Sequence, residues 1–182
     1  YSLNSIDKLF SKNNLSLINF EFIKTHGGSI RCYIKNTRNA KKSKKLIEEL
    51  KKENKSINQI KLTNFSNLIK HYTLDFNIKI IEMKKQKKFV IGYGCPARVS
   101  TITNLSKIGN KEIKYIIDDS PLKAGRFSPG MNIPIKNFRV LSKKKEYTVI
   151  VFAYDYFNDI KKKLKYYNCK FYFPIPLKKI FG

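Results

Sequence analysis

Lys88-Phe89-Val90-Ile91-Gly92-Tyr93-Gly94-Cys95-Pro96-Ala97-Arg98 is the stretch that decides the fold. A short apolar run, Phe89-Val90-Ile91, enters a glycine turn, and residues 96–107 beyond it read as a helix. The same alternation then repeats. Residues 113–117 form a second apolar run that closes on Asp118-Asp119, and a Pro- and Gly-punctuated loop follows over residues 120–134. Residues 147–153 are a strong third strand, 156–167 a helix, and 170–173 a last strand before Pro174-Ile175-Pro176. Apolar strands of four to seven residues separated by helices imply parallel pairing with both sheet faces covered. Residues 88–182 therefore read as a three-layer, Rossmann-like α/β lobe with a mostly parallel sheet.

Upstream the pattern differs. Ser2 is a plausible cap for a first helix carrying Leu3, Ile6, Leu9 and Phe10 at helical spacing, ended by Asn13-Asn14. Residues 15–23 and 29–34 alternate as strands around Thr25-His26-Gly27-Gly28, the signature of a hairpin with a glycine turn. Two amphipathic helical stretches follow, residues 41–54 and roughly 57–87. The first places Leu46, Ile47 and Leu50 on one side, and the second places Ile60, Phe65, Leu68, Ile69 and Tyr72. This organisation predicts a helix plus β-hairpin over 1–38, a helical bridge over 39–87 and the Rossmann-like domain over 88–182.

The chain has 182 residues, 38 Lys+Arg against 13 Asp+Glu, and a formal net charge of +25. Such a charge points to an anionic partner: nucleic acid, a membrane surface or a nucleotide phosphate. The lysines, however, are spread over every segment. They accompany abundant Asn and Ile, as AT-rich coding produces without selection for binding. The aromatic residues sit in apolar runs such as Phe171-Tyr172-Phe173, not interleaved with arginines as in a base-stacking platform. No apolar run approaches the roughly 20 residues that span a bilayer, and no signal-peptide pattern opens the chain. Three cysteines, Cys32, Cys95 and Cys169, stand far apart. Neither a disulfide framework nor a zinc knuckle fits them, and reduced cytoplasmic thiols do.

The turn holds the main candidate chemistry. Glycines at Gly92 and Gly94 let backbone approach a ligand, and amides at a helix start attract phosphate. Pro96 removes one amide, and Ala97 stands where a dinucleotide fingerprint has its third glycine. Arg98 offers a guanidinium fork for an oxyanion. Asp118 closes the second strand, where an acid either holds a ribose or caps the following loop. His26 precedes two glycines and His71 lies in a helical stretch without an obvious partner. Neither a catalytic triad order nor a P-loop occurs. A nucleic-acid-binding module and a NAD-type oxidoreductase lobe are the alternatives these features leave open.

Several runs, taken in order, resemble one family. Gly92-Tyr93-Gly94-Cys95-Pro96-Ala97-Arg98 is similar to the Gly-Tyr-Gly-Ala-Pro-Ala-Lys motif of sugar C-methyltransferases. Residues 117–130, Ile-Asp-Asp-Ser-Pro-Leu-Lys-Ala-Gly-Arg-Phe-Ser-Pro-Gly, resemble that family's Val-Asp-Arg-Asn-Pro-x-Lys-x-Gly-Arg-Tyr-x-Pro-Gly. Ile133-Pro134-Ile135 continues it. Phe173-Pro174-Ile175-Pro176 resembles its closing strand, Thr25 to Arg31 its Thr-His-Gly-Gly-Ser-Leu-Arg segment, and Tyr1-Ser2-Leu3 the stretch beyond its catalytic loop. This chain departs from the family with Arg98 for Lys, Val99 for Gly and Asp119 for Arg.

The resemblance implies a S-adenosylmethionine-dependent enzyme that methylates a carbon of a nucleotide-linked keto-deoxy sugar. It further implies that zinc cysteines, donor-binding domain and a Tyr-x-Glu-His segment precede Tyr1. The chain is then expected to be a fragment, inactive alone, without metal or bound methyl donor, whose partners are the nucleotide sugar and the rest of its own polypeptide. Neither a specific nucleic acid nor a membrane is expected as partner. By the same resemblance the substrate contacts are Gly92, Tyr93, Gly94, Pro96, Ala97, Arg98, Asp118, Lys123 and Arg126. Ser29 and His26 would approach from the hairpin, His26 in a supporting role.

Overall fold

The computed structural model describes residues 1–25, 28–37 and 39–180. It divides into two compact units, Tyr1–Ser66 and Asn67–Gly182.

In the first unit, Ser2 caps helix α1 (Leu3–Lys12) through a reciprocal box with Ser5. The Ser2 hydroxyl accepts from the Ser5 amide at 3.1 Å, and the Ser5 hydroxyl accepts from the Ser2 amide at 3.0 Å. Strands β1 (Ser16–Ile23) and β2 (Ser29–Lys35) pair antiparallel, with an irregularity between Leu17 and Asn19. That extra residue places Leu17 and Phe20, three apart, in one core, where strict alternation would oppose them. Leu3 of α1 and Leu46 of α2 (Lys44–Ser56, capped by Ser43) complete this core.

Helix α3 (Gln59–Lys85) begins in the first unit and ends in the second. Its last turns bury Phe76, Ile80 and Met83 in the second unit's core. Ile60, Leu62 and Phe65 are exposed.

The second unit is built on strands β3 (Val90–Tyr93), β4 (Ile116–Ile117), β5 (Ile135–Lys136), β6 (Glu146–Val151), β7 (Asn168–Phe173) and β8 (Lys178–Lys179). Their order is β5-β4-β3-β6-β7-β8, with only β8 antiparallel. The period-two alternation sorts side chains onto two faces. Val90, Ile116, Ile150 and Phe152 pack on one, with α3 and with Val99 of α4 (Arg98–Ser106). Ile91, Tyr93, Ile117, Val149 and Val151 pack on the other, with Ile160 of α5 (Phe157–Lys163) and Leu164. Both faces are covered, and the three-layer, mostly parallel Rossmann-like reading holds.

Individual elements are shorter than their apolar runs. Within residues 113–117 only Ile116 and Ile117 form a strand, because the chain from Gly109 is first folded in turns, with Ile113 donating to the Gly109 carbonyl. The helix expected over 156–167 keeps Phe157–Lys163, after a 3-10 turn at Tyr154–Tyr156. Among the described residues no helix is long and apolar enough to cross a membrane.

Candidate functional site

Strand β3 lies between β4 and β6. The chain leaving β3 crosses to β4 on one side, and the chain leaving β6 crosses to β7 on the other. Open α/β sheets bind ligands outside the carboxyl ends of the strands, where these directions diverge. Here that point is flanked by residues 94–98 after β3 and 152–156 after β6.

The turn after β3 is held from within. Gly94 adopts φ +78°, and a Cβ there would lie 2.3 Å from the Ala153 Cβ. A Cβ on Gly92 would meet Ile116 Cγ1 at 2.8 Å and Phe152 Cε2 at 2.9 Å. Both glycines thus answer to the fold's own packing, a different cause from close approach of a ligand. The Cys95 amide donates to Asp118 Oδ2 at 2.7 Å, and the Ser120 amide donates to Asp118 Oδ1 at 2.9 Å. Lys123 Nζ bridges the Cys95 carbonyl at 3.1 Å and Asp118 Oδ2 at 3.2 Å. Asp118, only 7% exposed, therefore braces the turn with its own charge. Burial first, and then the Asp118 carboxylate, push the Cys95 thiol up, against an opposing pull from Lys123.

Pro96 and Ala97 lead into α4, whose start no side chain caps. Arg98, the first residue of α4, turns back across the strand ends. Its Nη2 donates to Asp155 Oδ2 at 2.7 Å, and its guanidinium carbon lies 4.0 Å from the Tyr154 ring centroid. Its Nη1 is buried and has no partner among the described residues. A buried donor without an acceptor costs on the order of 1–3 kcal/mol, so this guanidinium is under-served by the protein alone.

At the end of β3, Tyr93 donates its phenol to Asp119 at 3.1 and 3.2 Å to the two carboxylate oxygens. Lys163 pairs with the same carboxylate and lies 4.4 Å from the Phe138 ring centroid. Burial first, then the neighbouring Asp119, raise the Tyr93 phenol, which stays a donor.

The structure thus gathers Gly92, Tyr93, Gly94, Pro96, Ala97, Arg98, Asp118 and Lys123 at one edge of the sheet. Arg126 lies further along the same loop with its side chain exposed. It is tied by its backbone, the amide donating to the Lys123 carbonyl at 3.1 Å and the carbonyl accepting from Ile135 at 2.8 Å. The cations that hold Asp118 and Asp119 are Lys123 and Lys163. Ser29 belongs to the first unit, where its hydroxyl donates to the Thr25 carbonyl at 3.0 Å. His26 lies outside the described residues. Sequence reasoning missed Tyr154, Asp155 and Lys163. Tyr154 and Asp155 follow the third strong strand, and only the strand order reveals that this strand lies beside the first. The three cysteines are free thiols on β2, in the turn and on β7. Among the described residues no group of three His, Cys, Asp or Glu gathers as a metal site.

The sequence profile of the C-methyltransferase C-terminal domain matches residues 24–176. C-methyltransferase NovU of Streptomyces niveus is 25% identical over 138 residues, covering 74% of this chain and 33% of that protein. The chain thus spans about a third of the length of this curated relative.

Proposed function

This chain belongs to the C-methyltransferase C-terminal domain family, and from that premise we propose that its second unit binds the nucleotide-linked keto-deoxy sugar on which a S-adenosylmethionine-dependent C-methyltransferase acts. The observation that carries the reading is Arg98. A guanidinium stands at the divergence point of the sheet with one buried nitrogen unpartnered among the described residues. A diphosphate oxygen is a strong acceptor for such a group. Lys123 and Arg126 add positive charge on the adjoining loop. Asp118 serves the site indirectly, by holding the turn and Lys123 in place.

S-adenosylmethionine supplies an electrophilic methyl group to the reaction, but the turn after β3 does not fit it. The space a glycine loop would offer is filled by Ala153, and the Cys95 amide is already taken by Asp118. The donor and the catalytic residues are assigned to the part of the enzyme outside this chain. Steady-state kinetics on the longer, active enzyme test the placement. Arg98→Ala and Arg126→Ala should each raise KM for the nucleotide sugar, with donor affinity unchanged, because a phosphate contact contributes largely uniform binding. Unchanged KM in both variants, or a collapse of donor binding, would contradict it.

A further inference from the structure

The ion pair between Arg98 and Asp155 joins the first residue of α4 to the segment after β6, 57 residues apart in sequence. The two partners differ in setting. The Arg98 side chain is 34% exposed, stacked on Tyr154 and half sunk in the fold, while the Asp155 side chain is 57% exposed on a short 3-10 turn. The guanidinium is the more enclosed partner and the carboxylate the more exposed one. The pair is also incomplete: Asp155 takes Nη2 at 2.7 Å and leaves Nη1 buried without an acceptor among the described residues. A carboxylate reaching one nitrogen is a partial counter-ion for the guanidinium.

We propose that Asp155 is a competing anion built into the site: its carboxylate holds Arg98 until a diphosphate displaces it, so that Asp155 sets the affinity for the ligand. This rests on the reading that Arg98 receives the diphosphate of a nucleotide-linked substrate. Displacement breaks an ion pair whose carboxylate is exposed, which is weak, and gives the guanidinium a charge-assisted contact with a more highly charged anion, which is stronger. Asp155 thereby keeps a buried-edge guanidinium positioned and disfavours ligands too weakly anionic to replace a carboxylate. The same competition acts on any diphosphate, with or without a nucleoside attached.

Calorimetric titration of the chain with UDP and, separately, inorganic pyrophosphate tests this. Asp155→Asn should bind both probes more tightly, by roughly threefold, the range an exposed ion pair controls. Asp155→Ser, a second variant without the charge, should do the same. Arg98→Ala should lose most of the affinity, and adding Asp155→Asn to it should restore none, because the competition needs Arg98. Thermal melting of each variant monitors the fold, and Asp155 is exposed enough that little change is expected. Tightening that persists without Arg98 is a general charge effect and overturns the proposal. Tightening with UDP alone overturns the diphosphate assignment. If Arg98→Ala weakens binding but neither Asp155 variant tightens it, the inference falls while the proposed function stands. If no form binds either probe, both fall.

Discussion

Gly94 and Gly125 share a left-handed backbone, φ +78° and +81°, in different surroundings. A Cβ on Gly125 meets nothing within 4 Å, while one on Gly94 meets Ala153 at 2.3 Å. Gly125→Ala should therefore cost only the conformational strain, on the order of 1–2 kcal/mol. Gly94→Ala should cost clearly more, since Ala153 or its backbone must also shift. Urea unfolding of the two variants measures the difference, and equal losses would contradict the packing described for the turn. Asp118 gives a second test at this scale. Its carboxylate raises the Cys95 thiol while Lys123 pulls it down. Removing the negative charge leaves burial as the remaining upward push against the Lys123 pull, so Asp118→Asn should increase the thiolate fraction at neutral pH. Cys95 alkylation by iodoacetamide, followed by mass spectrometry, should then be faster in the variant. Cys169, pushed up to about 11 by burial, serves as the slow internal reference. A slower Cys95 reaction in Asp118→Asn would contradict the brace.

At the scale of elements, α2 holds the start of α1. Glu53 accepts from the Leu3 amide at 2.8 Å and the Asn4 amide at 2.6 Å, both at the positive end of α1. Burial works to raise its carboxyl, but the Asn4 and Leu3 amides and the Asn4 and Ser2 side chains outweigh it, and the net shift is downward. A carboxyl lowered by folding contributes stability above its unfolded value, lost as pH falls through the folded one. The first unit should therefore lose this contribution as pH drops below the ordinary carboxylate value of 4.5. Glu53→Gln should flatten that acid limb and cost roughly 1 kcal/mol at neutral pH. Urea midpoints between pH 3 and 7 check both, and an unchanged acid limb would contradict the assignment. Elements of this kind were largely legible. The Ser2 cap, the alternating hairpin and the apolar β3 and β6 runs announce themselves by spacing. The two-residue strands β5 and β8 carry no period to read, and the Leu17–Asn19 irregularity breaks the one that β1 has.

For the molecule as a whole, composition and alternation indicate a layered α/β lobe but leave the strand order open. That order brings residues 152–156 beside the glycine turn, and this is why Tyr154 and Asp155 escaped sequence reasoning while Arg98 did not. The turn illustrates the same limit differently. Its glycines look alike in sequence whether a ligand or Ala153 fills the space before them, and only three-dimensional packing distinguishes the two. Family membership assigns C-methyltransferase relatives to the chain, and the function proposed above gives the substrate contacts to Arg98 and the methyl donor to another part of the enzyme. The most direct test is calorimetric titration of this chain with a nucleotide-linked 4-keto-6-deoxy sugar and, separately, with S-adenosylmethionine. The account predicts saturable binding of the nucleotide sugar that Arg98→Ala weakens at least severalfold, and no heat from the methyl donor. Tight binding of S-adenosylmethionine, or nucleotide-sugar binding indifferent to Arg98, would contradict it.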